Sequence, residues 1–148
     1  MRGMKIASPA FQNSQTIPAK YTCDGEDTSP PLQLSDVPVG AKSLVLIMDD
    51  PDSPTGTWDH WVAFNIPFAT TEFLEGSKSP GLSGKNTFET LGYGGPCPGS
   101  GEHRYFFKLY ALDTQLDLKE GANKTEIEQA MKGHIIEQAE FMGRYSRS

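Results

Sequence analysis

Cysteine is scarce. Only Cys23 and Cys97 occur among 148 residues, with no C-x-x-C spacing, which excludes a disulfide-stapled mini-fold and a paired-cysteine zinc site. Free thiols are the expectation. Positive charge is short as well: 13 Lys and Arg stand against 19 Asp and Glu, a net charge of -6. Binding to a phosphate backbone starts from a basic field, so no nucleic acid partner is expected. No apolar run approaches the roughly 18 residues of a membrane span, so no membrane span is expected. The opening Met1-Arg2-Gly3-Met4-Lys5 is not followed by the apolar core of a signal peptide. These absences predict a cytoplasmic protein. There is no H-E-x-x-H, no G-x-S-x-G and no Ser-x-x-Lys, and Gly84-Lys85 is followed by Asn86 without the upstream glycine of a P-loop. Hydrolase and nucleotide-hydrolase chemistry therefore has no motif to rest on, and neither repeats nor low-complexity tracts are present.

Glycine and proline are plentiful: 15 and 11 residues, scattered through the chain. That distribution favours a loop-rich, mainly β architecture over a helical bundle, and the length predicts a single domain over 1–148. Ser43–Met48 is a short aliphatic run ended by acids and proline, and Trp58–Ile66 is stopped by Pro67. His103–Leu112 is the longest such run. These three segments predict the centre of a sheet. Residues 8–38, broken by six prolines and glycines, predict brief edge strands and turns. Between the second and third strands, Gly76–Gly101 carries eight glycines and three prolines and predicts a long functional loop. Near the C-terminus, Thr125 and Glu128 form a capping-box pattern. Ile127, Ala130, Met131, His134, Ile135, Ala139 and Met142 then recur at helical spacing, predicting one helix up to Gly143. The sequon Asn123-Lys124-Thr125 is read as chance.

Side chains alternate across a strand. Leu44, Leu46, Met48 and Asp50 then share a face, as do Trp58, His60, Val62, Phe64 and Ile66, and as do His103, Tyr105, Phe107, Leu109 and Ala111. If the strands align, Asp50, His60, His103 and Tyr105 gather at one mouth of an apolar surface, the general form of a small-ligand pocket. Two loops lie at the same end, Asp50-Pro51-Asp52-Ser53-Pro54 and Gly94–Gly101, and they predict a stiff anion nest. His and Tyr donate hydrogen bonds to anionic oxygen, so a phosphate or carboxylate suits the site. Asp50 repels such a ligand unless it orients His60, binds an amine or takes up a proton. Other readings stay open: a plain turn for the Asp-Pro motif, a divalent metal at Asp50, Asp52, Asp59, His60 and His103, and a reactive or merely packed Cys97. Trp58 and Trp61 are read as sheet packing, with one of them covering the rim.

D-P-D-S-P at Asp50–Pro54, the histidine of W-D-H-W at His60, and G-P-C-P-G-S-G-E-H-R-Y at Gly95–Tyr105 together resemble the phosphatidylethanolamine-binding protein family. Y-T-C-D-G-E-D-T-S-P-P-L at Tyr21–Leu32 and G-R-Y-S at Gly143–Ser146 are similar to its short prokaryotic YbhB/YbcL branch, the Raf kinase inhibitor-like type. The resemblance implies a β-sandwich of a large central sheet and a smaller one, C-terminal helix, a cis-Pro turn in the first motif, and a small anion pocket. Carried over, that pocket comprises Asp50, Asp52, Pro54, His60, Gly95, Pro96, His103, Arg104 and Tyr105. His60, the Gly95 N–H and the Tyr105 hydroxyl are implied as anion donors. Pro96-Cys97-Pro98 replaces the adjacent prolines of animal members, and the extra C-terminal helix of those members is expected to be absent.

The leading expectation is a binding module, not primarily an enzyme and without cofactor. Its partners would be a small anionic ligand (phosphate, carboxylate or phospholipid headgroup) and a protein. The alternatives are an inhibitor of a kinase or serine hydrolase that inserts its glycine-rich loop, and a weak hydrolase or lyase using His60 with Asp50 as general base. Exposed aromatics and an apolar sheet edge would suit a homodimer.

Overall fold

The computed structural model describes residues 3–77 and 80–147; Met1-Arg2 of the opening and positions 78–79 of the glycine-rich loop lie outside them. Mainly β structure forms two sheets. The smaller has the order β1-β2-β5, from Lys5–Ala7, Leu32–Ser35 and Glu72–Phe73. The larger has the order β6-β4-β3-β7-β8, from Leu82–Ser83, Trp58–Ile66, Ser43–Asp50, Glu102–Leu112 and Ile135–Ser146. All its pairs are antiparallel. The three strands expected at the centre are β4, β3 and β7, and they are adjacent.

Strand β3 is buried at all eight positions, the pattern of a strand covered on both faces. Leu44, Leu46 and Met48 look toward the small sheet, in a core with Ile6, Leu32, Leu34, Trp61, Tyr105, Phe107 and Leu109. Val45 and Ile47 look the other way, into a second core with Val62, Phe64, Leu116, Ile127 and Met131 under helix α1, Lys124–Met131. Burying a Leu or Ile side chain stabilises by about 1.5–3 kcal/mol, so β3 holds both layers together.

The expected facing of β4 is corrected by two irregularities. Met48 pairs with Trp61 but Asp49 pairs with Asp59, so His60 is an extra residue in the ladder. Likewise Leu44 pairs with Ile66 and Leu46 with Ala63, so Phe64 and Asn65 oppose Val45 alone. A bulge shifts the alternation by one residue. Val62 and Phe64 consequently face the second core, whereas Trp61, Ala63 and Ile66 face the first. Asn65 tolerates φ of 51° and exchanges side-chain hydrogen bonds with the Leu116 backbone at 2.9 and 2.8 Å.

The C-terminal helix is much shorter than its periodicity implied. Asn123 and Glu126, not Thr125 and Glu128, make the capping box. The sequon's asparagine thereby has a structural use. Gly133, at φ 80°, breaks the chain out of the helix, and Ile135–Ser146 becomes β8, paired along the length of β7. Phe141, Gly143 and Tyr145 are buried there and their neighbours are more exposed. A Cβ on Gly143 would lie 2.5 Å from Ile17 and 2.7 Å from Phe11, so the strand can pass only as glycine.

Two further expectations are overturned. Cys23 and Cys97 form a disulfide with Cα atoms 5.5 Å apart, because the fold seats the loop after Tyr21 against the glycine-rich loop, where the Cys23 N–H donates to Pro96 O at 3.1 Å. Sequence spacing carried no trace of that approach. No cis peptide occurs among the described residues. The Asp50–Pro54 turn is closed by its own polar groups, with the Asp52 N–H donating to Asp50 Oδ1 at 2.8 Å and the Gly56 N–H to Ser53 O at 3.2 Å. No described helix is long and apolar enough to cross a membrane.

Candidate functional site

Antiparallel register sets the end of β3 beside the starts of β4 and β7: Asp50 pairs with Trp58 and Asp49 with Phe106. The side chains at these ends open onto a recess of about 180 Å³ lined by Asp50, Ser53, Pro54, Trp58, His60, Phe88, Cys97, Pro98, Gly99, His103 and Tyr105. Pockets for drug-sized ligands occupy roughly 300–1,000 Å³, so this one has room for a headgroup-sized ligand end.

Asp50 is 3% exposed and both its oxygens are occupied. Oδ1 accepts the Asp52 N–H, and Oδ2 accepts His103 Nδ1–H at 2.7 Å. The acid therefore orients His103, and the expected pairing with His60 is not made. His60 enters through the bulge. Its Nδ1–H donates to Gly94 O at 2.8 Å, and the Gly94 N–H returns a bond to His60 O at 2.8 Å. This fixes the tautomer and leaves Nε2 as the acceptor of the neutral ring. Burial, opposed by the Gly94 carbonyl and the Asp50 charge, holds His60 below the usual imidazole pKa. The ring packs edge-on against Tyr105 at 5.2 Å and against Phe88 at 5.3 Å.

Two residues that line the recess carry a donor without a partner. Among the described residues, neither the Tyr105 hydroxyl nor the Trp58 indole N–H makes a hydrogen bond, although both atoms are buried. Buried polar groups are nearly always satisfied, and an unpaired one costs about 1–3 kcal/mol. Burial first, then the Asp50 and Asp52 charges, raise the Tyr105 pKa far above a free phenol, so the hydroxyl remains a donor across the ordinary pH range.

Of the residues predicted for the site, Asp50, Pro54, His60, His103 and Tyr105 line the recess together. Asp52 and Arg104 instead hold one another: Nε, Nη2 and the Arg104 backbone N–H each reach the Asp52 carboxylate at 2.9 Å. The guanidinium keeps that carboxyl at about 2. Gly95 is committed elsewhere, its N–H donating to Asp27 Oδ1 at 2.8 Å, and Pro96 O accepts from Cys23. Both sit behind the rim. Ser53, Cys97, Pro98 and Gly99, from the two loops of the expected nest, also line the recess without being singled out as ligand contacts, and Trp58 is the tryptophan that lines it. Phe88 comes from the long loop expected to be functional, but no local signature singles it out within that loop.

Among the described residues, no three His, Cys, Asp or Glu side chains are grouped to hold a metal. His103 and Asp50 satisfy each other, and His60 Nδ1 is spent on a backbone carbonyl, so the donor set is poor for a cation.

Comparison with known proteins converges on one family. A family model described as phosphatidylethanolamine-binding protein matches residues 7–146. A UPF0098 protein of Methanothermobacter thermautotrophicus is 51% identical, over 97% of this chain and 99% of its own. A solved structure from Chlamydia trachomatis, described as that of a candidate phosphatidylethanolamine-binding protein homologue, superposes with a TM-score of 0.95 at 44% identity, covering 99% of each chain. Escherichia coli YbcL, described as a member of the mammalian family, superposes at 0.90 with 29% identity, over 99% of this chain and 100% of its own.

Proposed function

Since the chain belongs to the phosphatidylethanolamine-binding protein family, we propose that it is a binding module, not primarily an enzyme, whose recess takes the phosphoryl or carboxylate end of a small ligand. The observation that carries this reading is the pair of buried, unpartnered donors, Tyr105 Oη–H and Trp58 Nε1–H, in a recess that also holds His60 and His103. An anionic ligand oxygen would supply the acceptor that such a donor lacks, and bonds to a charged acceptor are the stronger kind. Asp50 does not defeat the reading, because both its oxygens are turned to N–H donors of the protein and its role is to orient His103.

A general base made of His60 and Asp50 has no geometric support, since the acid pairs with the other histidine. The apolar rim of Pro54, Phe88 and Pro98 fits a ligand whose anion is attached to an uncharged body. The test is titration with phosphate, acetate and phosphoethanolamine while the ring signals of His60 and His103 are followed by NMR. Saturable shifts of both rings are expected. Unchanged signals at millimolar concentrations of all three would overturn the assignment.

A further inference from the structure

The disulfide is part of the recess wall. Cys97 lines the cavity together with the two residues that follow it, Pro98 and Gly99. Upstream, the glycine-rich loop is tied to the segment 21–27 by three hydrogen bonds independent of sulfur: Tyr93 Oη–H to Tyr21 O at 2.5 Å, Gly95 N–H to Asp27 Oδ1 at 2.8 Å, and Cys23 N–H to Pro96 O at 3.1 Å. Downstream, nothing comparable exists. Among the described residues no hydrogen bond or ion pair anchors Pro98 to Gly101 before β7 begins at Glu102, and a Cβ on Gly99 or Gly101 would meet nothing within 4 Å. Pro98 is held by burial alone and Gly99 and Ser100 are exposed, so the covalent bond at Cys97 is the last bonded anchor of this stretch of rim.

Both sulfur-bearing residues are exposed, unlike a disulfide sealed in a core. Beside them stands Arg147, whose Nη1 lies 3.8 Å from Cys97 Sγ. Its guanidinium is held in place by Asp24 Oδ1, at 3.1 Å from both Nε and Nη2, and Asp24 Oδ2 accepts the Tyr145 hydroxyl at 2.6 Å. A fixed cation near one sulfur stabilises that sulfur as a thiolate, and a better-stabilised thiolate leaves faster. The two sulfurs are therefore unequal.

We propose that the Cys23–Cys97 disulfide is a thiol–disulfide exchange site through which an external dithiol sets the affinity of the recess for its anion. A thiolate of the dithiol attacks Cys23 Sγ; the Sγ–Sγ bond breaks and Cys97 departs as a thiolate beside Arg147. The second thiol of the reductant, deprotonated, then attacks its own sulfur in the mixed disulfide. This releases Cys23 as a thiolate and leaves the reductant as a disulfide. Two electrons pass from the dithiol to the protein, and both protein sulfurs end as thiols after taking up two protons. The stretch from Pro98 to Gly101, tethered at Cys97 before reduction and left afterwards with the burial of Pro98 alone, must then be ordered by the ligand, so the oxidised form binds more tightly. By linkage, the anion protects the disulfide by the same factor.

The proposal rests on the anion-site reading given above, and the experiment separates the two. Phosphate and acetate are titrated into the oxidised protein, the dithiothreitol-reduced protein and the Cys23→Ser/Cys97→Ser variant, with native folding verified by near-UV circular dichroism. Histidine ring shifts report binding. About fivefold or greater weakening is expected in both disulfide-free forms, and saturating phosphate should shift the dithiothreitol redox equilibrium toward the disulfide by the same factor. Affinities equal within twofold would overturn the proposal, as would a disulfide that dithiothreitol opens only when the protein unfolds. If the oxidised protein binds neither anion, the anion reading fails by itself. The redox coupling is then read from the ligand-free His60 and His103 signals: movement on reduction sustains it, and identical signals refute it. Opening rates give a second readout that a structural crosslink would not show. Arg147→Gln should slow reduction roughly threefold and Arg147→Lys should largely restore it, whereas three equal rates would overturn Cys97 as the leaving sulfur.

Discussion

Replacing both cysteines by alanine opens a covalent loop that spans 74 positions of sequence, half the length of the chain. The loop-closure entropy restored to the unfolded ensemble follows from that span, and at 25 °C it amounts to about 4.4 kcal/mol. The native side should change little, because the same two segments keep the Tyr93–Tyr21, Gly95–Asp27 and Cys23–Pro96 hydrogen bonds. A domain of this size melts roughly 2–4 °C lower for each kcal/mol lost, so the midpoint should fall by roughly 9–18 °C on that scale. Urea unfolding of wild type and Cys23→Ala/Cys97→Ala, each fitted for midpoint and slope, checks the number. The slope should rise in the variant, since an uncrosslinked unfolded chain exposes more surface. A loss under about 1 kcal/mol with an unchanged slope would refute the reasoning, because the crosslink would then not restrict the unfolded chain as its span requires.

Tyr105→Phe should weaken phosphate binding by about tenfold or more, the value of a lost bond to a charged group. It should leave urea stability level or slightly higher, because the deleted hydroxyl has no partner in the free protein; a large stability loss would show that the hydroxyl is already satisfied. His60 sits below its unfolded pKa, so the unfolded chain binds more protons as pH falls through about 6.5. Stability should drop in that window and level off below the folded pKa, and in pH-dependent urea melts the fall across that window should be steeper for wild type than for His60→Gln, with the two curves parallel near pH 8. An anion bound at Nε2 requires the protonated ring, so calorimetry near neutral pH in buffers of different ionisation heat should show proton uptake; an identical heat in all buffers would remove His60 from the contact. Gly143→Ala places a methyl against Ile17 and Phe11 and should cost about 1–3 kcal/mol by urea melts.

The strands that build the site could be read from composition and order alone, because β3 is apolar on both faces and β7 is long and aromatic. Alternation placed His103 and Tyr105 on the face of Phe107, and they are there. It failed on β4 for a physical reason. An extra residue in one strand leaves no compositional mark, yet it reverses the side chains beyond it until the second irregularity returns Ile66 to the first core. The C-terminal segment misled in another way. Apolar residues at 127, 131 and 135 satisfy a helical period, but Gly133 and the tertiary demand for a partner beside β7 decide the conformation after Lys132. The disulfide and Phe88 belong to contacts between loops, which short-range patterns do not encode.

The expected conflict between an anion ligand and Asp50 is resolved by the division of labour that register imposes. The acid ends β3, and antiparallel pairing brings the start of β7 alongside it, so His103 Nδ1 reaches Oδ2 while the turn's own Asp52 N–H takes Oδ1. A carboxylate whose oxygens are both engaged is held by its donors while keeping its charge, and it fixes the orientation of the His103 ring. His60 is fixed separately by Gly94 O, across a loop that the Gly95–Asp27 bond and the disulfide hold in place. Two histidines oriented by different anchors thus line one recess with Tyr105 and Trp58, whose polar atoms have no partner among the described residues. Asp50→Asn should therefore damage anion binding by loosening His103, even though it removes a negative charge from the cavity. If phosphate binds Asp50→Asn more tightly than wild type, the carboxylate acts as a repulsive charge and its role as an anchor is wrong.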